Sequence, residues 1–186
     1  AFINVDSHGE NAIVVVAGAN ALVGVEDKFF IPNSRVVLAQ LEVPLETIEV
    51  AFSQARSNGA VTVLNPAPAR DIPESLLSVA NIVVPNETES AAIGGTKNLL
   101  GLGAATVITT LGADGASIET SSSTTHIAPH KVTPVDTVGA GDAFIGATCA
   151  ELSRGASIED AARMGAIAGA LATTVKGAVP SLPTRQ

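Results

Sequence analysis

Short apolar runs, separated by polar or Gly- and Pro-containing segments, predict that the chain alternates between strands and helices. The runs interpreted as buried strands are residues 36–41, 60–64, 82–84 and 106–109. A helix is predicted between Pro44 and Gly59, and the run Asn65-Pro66-Ala67-Pro68 is predicted to continue neither strand nor helix. Because helices or loops separate successive strands, the pattern predicts a mostly parallel sheet with right-handed crossovers.

The two ends of the chain carry different patterns. Residues 1–17 contain two β-rich runs around a polar turn with Gly9, which predicts a hairpin. Short β runs over 117–119 and 125–127 precede the segments 139–153 and 158–173, which carry small and apolar residues on most faces. These last two segments are predicted to be largely buried helices.

Composition and charge restrict the classes of partner. Hydrophobic residues make up 46% of the chain and charged residues 15%, which suits an α/β domain whose sheet is covered on both faces. The net charge of −8 disfavours nucleic acid and anionic lipid, so an anionic substrate would need backbone N–H groups, helix N-termini or a metal ion. No apolar run reaches the ~20 residues of a membrane span and no signal-like segment is present, so we expect an intracellular, cytoplasmic protein.

Several familiar site patterns are missing from the sequence. The single cysteine, Cys149, lies in an apolar helical context and is predicted to be a buried thiol. His8, His126 and His130 lack the spacing of metal ligands. The run 101–106 precedes a strand and lacks the third glycine of a dinucleotide fingerprint, and no P-loop motif occurs.

The most informative stretch is DTVGAGDAF, residues 136–144, where a Gly-rich turn leads directly into a predicted helix. Gly139 and Gly141 leave backbone N–H groups unobstructed, and the helix macrodipole adds partial positive charge there. The turn is therefore a candidate anion hole for a transferring phosphoryl group. Asp142 could accept the proton of the attacking hydroxyl. On spacing alone, Asp142 could equally be a first-turn acid that interacts with the helix dipole.

This stretch resembles the C-terminal signature of the ribokinase, or PfkB, family of sugar and nucleoside kinases. The resemblance implies that Gly139, Ala140 and Gly141 form the anion hole, with Gly141 also contacting the nucleotide. It implies that Asp142 is the catalytic base and contacts the substrate.

Two further motifs of that family occur in the expected order. The run Asn86-Glu87-Thr88-Glu89 resembles its N-x-x-E motif, which implies that Asn86 contacts the nucleotide and Glu89 acts indirectly on Mg²⁺. Taken alone, such a pair would more often be a helix N-cap. The run 110–115 resembles the turn that holds the nucleotide, through Thr110, Leu111, Gly112, Ala113, Asp114 and Gly115.

Within the family, residues 18–20, 40–42 and 65–70 resemble the ribose-phosphorylating members. By that resemblance Glu42 hydrogen-bonds sugar hydroxyls, although it could also be an exposed acid at a strand end. The family also implies a K⁺ site built from oxygens of Asp136, Val138, Ala172, Val175, Gly177 and Ser181. Taken alone, residues 176–178 would be only a helix C-cap.

The resemblance implies a ribokinase-like three-layer α/β sandwich, with residues 1–17 as part of a β lid and 18–186 as the nucleotide-binding and catalytic domain. The implied reaction phosphorylates the 5-hydroxyl of D-ribose from ATP with Mg²⁺ and K⁺, in a homodimer joined through the lid. The alternatives are a sister fructokinase or nucleoside kinase, or a non-catalytic nucleotide- or sugar-binding module. The sequence departs from the family pattern in three places: its N-terminal part is absent, 90–103 is short for the expected helix, and Ala166 replaces a polar residue near the adenine.

Overall fold

The computed structural model describes residues 2–5, 11–14, 16–25 and 33–184. Two strands, β1 (Phe2–Val5) and β2 (Asn11–Val14), pair antiparallel as a separate sheet, as the hairpin pattern predicts. A 3₁₀ turn follows at Gly18–Leu22. The predictions made for residues 6–10, including those for His8 and Gly9, lie outside the described residues.

A six-stranded sheet forms the centre of the rest of the chain. Its strands occur in the order β3 (Val36–Gln40), β4 (Val61–Asn65), β5 (Ile82–Val83), β6 (Thr106–Thr110), β7 (Ala116–Glu119) and β8 (Thr124–Ile127). The first four strands pair in parallel, and β7 and β8 add as an antiparallel extension. The predicted mostly parallel sheet is confirmed.

Six α-helices surround this sheet in the described part of the chain. They are α1 (Leu45–Ser57), α2 (Glu74–Val79), α3 (Glu87–Ala92), α4 (Thr96–Gly101), α5 (Ala140–Ser153) and α6 (Ile158–Ala172). The segment 90–103, which the sequence marks as short for one helix, is divided between α3 and α4. Gly94 and Gly95, which separate these two helices, both adopt positive φ.

Alternating side chains along the strands build a core on each face of the sheet. On one face, Leu64 and Val83 pack with Phe52 of α1 and with residues of α2 and α4. On the other face, Val63 and Ile108 pack with Phe144 and other residues of α5 and α6. The two cores give helix, sheet and helix layers, which confirms the predicted three-layer sandwich.

One local prediction was wrong, and one alternative interpretation is excluded. Asn65 belongs to β4, because its backbone pairs in register with Gln40 and its buried side chain donates to the Val84 carbonyl. The run 176–178 is not the C-cap of α6, because that helix ends at Ala172. The amide of Gly177 instead donates to the Asp136 carboxylate, 41 residues earlier in the chain.

The last two helices run antiparallel to each other and span the sheet from edge to edge. Leu152 near the end of α5 and Ile158 at the start of α6 lie beside Val61 and Thr106, at the amino ends of β4 and β6. The start of α5 and the end of α6 therefore lie at the carboxyl edge of the parallel strands. Cys149 packs against the core on this face and is partly buried, and desolvation raises the pKa of its thiol to about 11.

Among the described residues, no helix combines the length and apolar character needed to cross a membrane.

The close packing of α5 against α6 predicts a large difference between two Gly→Ala substitutions. A methyl group at Gly165 of α6 would overlap Thr148 Oγ1 and lie 2.8 Å from the Phe144 carbonyl oxygen. We expect Gly165→Ala to destabilise the protein by about 1–3 kcal/mol through overpacking. Thermal unfolding should show a Tm lower by about 2–4 °C for each kcal/mol.

Gly146→Ala is the matched control for this prediction. Gly146 lies within α5, is exposed, and has open space where its methyl group would stand. Alanine is the better helix former, so this variant should be unchanged or more stable by up to about 1 kcal/mol. An equal fall in Tm for both variants would contradict the close-packing explanation.

Candidate functional site

The motif residues singled out from the sequence collect at the carboxyl edge of the parallel strands. Glu42 follows β3, and the Gln40 amide nitrogen donates to Asn65 Oδ1 at 2.8 Å across the ends of β3 and β4. Asn86 follows β5 and forms a parallel bridge with Thr110 at the end of β6. In open α/β sheets this edge is where ligands bind.

The start of α5, the predicted anion hole, lies at the same edge. Gly139 is the N-cap residue in a left-handed conformation (φ 80°, ψ 0°), and no side chain caps this helix. Its Cβ, if present, would lie 3.2 Å from Ala178 Cα, so both the φ angle and the contact favour glycine. The amides of Gly139, Gly141 and Asp142 donate to no acceptor among the described residues.

A cleft of about 510 Å³ opens beside the start of α5. Ala140 and Gly141 line one end of it, and Thr110, Gly112, Ala113 and Gly115 of the predicted nucleotide turn line a side wall. Its volume falls within the range of small-molecule sites. The structure therefore brings six of the sequence-predicted residues to one cavity, from segments whose nearest members, Gly115 and Ala140, are 25 positions apart in the chain.

The turn after β6 is shaped by two positive-φ glycines. Gly112 (φ 54°) begins a 3₁₀ turn, and Gly115 (φ 89°) follows it and enters β7. The buried Gly115 has no space for a side chain, because a Cβ there would overlap the carbonyl oxygen of Ile127. Leu111 and Asp114 belong to the same turn but do not line the cleft.

Of the opposite wall of the cleft, sequence reasoning placed only Ala166 near the nucleotide. That wall is formed by Ala166, Gly169 and Ala170 of α6, by Thr173, the C-cap residue of that helix, and by Phe144 of α5. The first four of these residues recur at i, i+3, i+4 and i+7, which is one face of a helix, and all are small. That periodicity was a usable signal, whereas the loop 129–134, which also lines the cleft, has none.

Asn86 and Glu89 form a reciprocal capping box at the start of α3. Glu89 N donates to Asn86 Oδ1 at 2.7 Å, and Asn86 N donates to Glu89 Oε2 at 2.9 Å. Burial raises the pKa of Glu89, and the hydrogen bond from the Asn86 amide partly opposes that shift. The capping interpretation of the motif is therefore confirmed, and the capping box fixes both side chains next to the predicted nucleotide turn.

Glu42 and Asp142 are both exposed carboxylates at the carboxyl edge. Asp142 is the third residue of α5, next to Gly141 in the cleft wall, but does not itself line the cleft. The structure allows either interpretation of Glu42, as a sugar ligand or as an exposed acid at a strand end.

The Asp136 carboxylate joins the turn before α5 to the segment after α6. Its Oδ1 accepts from Val138 N at 3.0 Å, and its Oδ2 accepts from Gly177 N at 2.8 Å. These two hydrogen bonds, first that from Val138, lower the pKa of Asp136, and the nearby Lys176 adds a smaller effect. Both segments also meet through Val135 and Asp136, whose amides donate to the Thr173 carbonyl.

The other residues proposed for a cation site are connected to the same segment. Ser181 is buried and its amide donates to the Gly177 carbonyl at 3.2 Å, and the Val175 amide donates to the Ala172 carbonyl at 3.5 Å. Asp136 is the only carboxylate of this set. Among the described residues, no three His, Cys, Asp or Glu side chains form a metal cluster.

The chain matches the pfkB family carbohydrate kinase model over residues 1–185. It is 40% identical to a ribokinase of Staphylococcus aureus over 98% of this chain and 66% of that protein. Its fold is similar to a ribokinase from Thermotoga maritima (TM-score 0.85, 32% identity, 99% of this chain, 66% of that one). It is also similar to an Arabidopsis thaliana ribokinase complexed with ribose and ATP (TM-score 0.86, 28% identity, covering 97% of this chain and 64% of that one). The chain thus spans slightly less than two thirds of the length of these relatives.

The Asp136 bridge predicts a pH-dependent effect of Asp136→Asn. Because the folded-state pKa of Asp136 is lowered, its ionised form stabilises the fold above the unfolded-state pKa, and this contribution is lost as pH falls through the folded value. Asp136→Asn should therefore lower Tm at pH 7, with a difference that narrows below about pH 4. Tm measured without K⁺ across this range tests the prediction.

Asp71→Asn is the matched control, because Asp71 is exposed and its carboxylate accepts no hydrogen bond from any described residue. We expect its Tm to follow the unsubstituted protein at every pH. A Tm deficit of Asp136→Asn that is constant with pH would contradict a role for the ionised carboxylate.

Proposed function

The chain belongs to the pfkB family of carbohydrate kinases, and we propose that the protein transfers the γ-phosphoryl group of ATP to the 5-hydroxyl of D-ribose. The observation that carries this proposal is the uncapped start of α5, which opens onto a cleft at the carboxyl edge of the sheet. The 40% identical Staphylococcus aureus protein is a ribokinase, and the Arabidopsis structure contains ribose and ATP. Both findings support ribose as the substrate.

The cleft is the proposed nucleotide site. Phe144, Ala166 and Ala170 offer a carbon-lined wall to a flat base, and Gly112 and Ala113 face it from the β6–β7 turn. The phosphates would then lie toward Ala140 and Gly141, where the amides at the start of α5 lack acceptors in the described part of the chain. In a protein of net charge −8, this local array of donors is what offsets the repulsion of ATP.

Asp142 is the proposed base. The sugar hydroxyl would give its proton to the Asp142 carboxylate as the new oxygen–phosphorus bond forms. The bond between the γ-phosphorus and its bridging oxygen breaks, and ADP leaves with the electron pair. The amides of Gly139 and Gly141, aided by the α5 macrodipole, would stabilise the charge on the transferring group.

Magnesium is the divalent ion proposed to accompany ATP, and the residues present fit an indirect site. Kinase Mg²⁺ usually takes few protein carboxylates and is otherwise bound by phosphate oxygens and water. Glu89 is half-buried, is held in place by the Asn86 amide, and lies next to the nucleotide turn. A bound Mg²⁺ would neutralise phosphate charge, and it would favour the ionised form of Glu89 against desolvation.

Potassium is the proposed monovalent ion, and the oxygens of the Asp136 segment fit it. One carboxylate combined with backbone carbonyls suits a weakly hydrated cation better than a divalent ion. The proposed ligands are oxygens of Asp136, Val138, Ala172, Val175, Gly177 and Ser181. Because Ala178 Cα lies 3.2 Å from where a Gly139 Cβ would stand, a cation bound beside Gly177 would order the turn proposed as the anion site.

Glu42 is the proposed sugar ligand, through hydrogen bonds accepted from sugar hydroxyls. Residues 1–17 are proposed as part of a lid over the sugar, with 18–186 as the catalytic domain. A two-stranded hairpin such as β1–β2 is marginally stable alone, so it needs a further surface to pack on. The proposal accordingly includes a homodimer formed through the lids, in the cytoplasm.

Asp142→Asn should lower kcat for ADP release by about 10²–10⁴-fold, because the amide keeps the shape of the side chain but does not accept the proton. Tm and ATP affinity should stay near their unsubstituted values. Asp160→Asn is the matched control, since Asp160 is also the third residue of a long helix but lies at the opposite edge of the sheet. Normal turnover in Asp142→Asn, or equal losses in both variants, would refute the assignment of the base.

The full-length protein should release ADP when ribose is added, and faster in K⁺ than in Na⁺. A panel with fructose and nucleosides in the same assay separates the alternatives. Turnover with one of these but not with ribose would place the protein among the sister kinases. Inactivity with every acceptor would favour a non-catalytic binding module and overturn the kinase proposal.

A further inference from the structure

A second groove lies at the opposite edge of the sheet, where the parallel strands begin. We call it the amino-edge groove. It has a volume of about 500 Å³, and its walls come from the amino ends of β4, β5 and β6, the end of α1 and the junction of α5 with α6. Since α5 spans the sheet between the two edges, about 20 Å separates this groove from the start of α5.

The polar side chains of the groove have unused donors. Asn81 Oδ1 accepts from Thr62 N at 3.0 Å, and the Thr62 hydroxyl donates to the Val79 carbonyl, which leaves Nδ2 as the Asn81 donor without an acceptor among the described residues. Nη1 of Arg56 donates to the Ser78 carbonyl. That bond anchors the guanidinium, while its Nε and Nη2 have no acceptor in the described part of the chain.

The backbone and the side chains of this edge both favour a negatively charged ligand. Thr106 N already donates to the Asn81 carbonyl, but the Ala105 amide and the Thr106 hydroxyl have no partner among residues 16–25 and 33–184. No carboxylate belongs to the described lining of the groove. Arg35 is at the same edge, because its carbonyl accepts from Val61 N at 2.9 Å. A surface with spare donors and a guanidinium, in a protein of net charge −8, favours an anion.

We propose that the amino-edge groove binds the phosphate dianion of a small phosphate monoester. Arg56 offers a planar fork suited to two phosphate oxygens, and Asn81 Nδ2 and the Thr106 hydroxyl supply further donors. The groove is larger than a phosphate ion, and Val61, Leu152 and Ile158 give the organic part of the ligand an apolar wall. This site does not depend on the proposed kinase activity.

Amide spectra of the full-length protein with ¹⁵N-labelled glycine test the site directly. Gly59 lines the amino-edge groove, whereas Gly139 and Gly141 report on the start of α5. Glycerol 3-phosphate should shift the Gly59 resonance saturably, and inorganic phosphate should do so more weakly. Shifts confined to Gly139 and Gly141, or none at millimolar ligand, would overturn the proposal. Equal affinity for the two ligands would overturn the part assigned to the organic moiety.

Three variants that each change the net charge by −1 complete the test. Arg56→Met should weaken the Gly59-detected affinity about 10-fold or more. Asn81→Asp keeps the oxygen that accepts from Thr62 but replaces the donor by a carboxylate oxygen, so it should abolish binding. The Arg163 guanidinium pairs with Asp160 outside the groove, so Arg163→Met should leave the Gly59-detected affinity unchanged. Equal weakening in all three variants would indicate bulk charge and overturn the site, and thermal unfolding verifies that each variant is folded.

Discussion

The short distance between α5 and α6 is the constraint on which the site depends. Gly169 lets the Ala140 carbonyl of α5 come within 3.0 Å of where a Cβ would stand, and Gly165 does the same for the Phe144 carbonyl. With the helices this close, the small face of α6 and the ring of Phe144 form one wall of the cleft. The start of α5 is thereby held at the end of that wall.

The direction of α5 relative to the sheet gives the cleft its electrostatic character. The parallel strands end at the same edge at which α5 begins, so the positive end of the helix dipole faces the loops that follow the strands. The part of the cleft proposed for the base is lined mostly by carbon, and the part proposed for the phosphates is lined mostly by backbone N–H groups. An acidic protein can hold a polyphosphate in this way without a basic surface, because the donors act only at short range.

Several residues of the site serve the fold and the proposed chemistry together. The capping box of Asn86 and Glu89 satisfies amides at the start of α3, and it also holds Glu89 in a half-buried position beside the nucleotide turn. Asp136 ties two distant segments through its two oxygens, and those segments are the ones that would surround a cation. A structural explanation of such a residue therefore does not compete with a functional one.

The sequence by itself determined the strands, the long helices, the parallel order and the motif at 136–144, because each is encoded by the spacing of neighbouring residues. It also indicated six of the residues that meet in the cleft. The tertiary structure alone decided that Gly169, Ala170 and Thr173 join Ala166 in the opposite wall, that Asn65 extends β4 through Gln40 and Val84, and that Asp136 reaches Gly177. The amino-edge groove likewise could not be predicted from the sequence, because Arg56, Asn81 and Thr106 belong to three different segments. Local spacing fixes which face of an element is apolar, but the partner of that face depends on contacts between residues far apart in the chain.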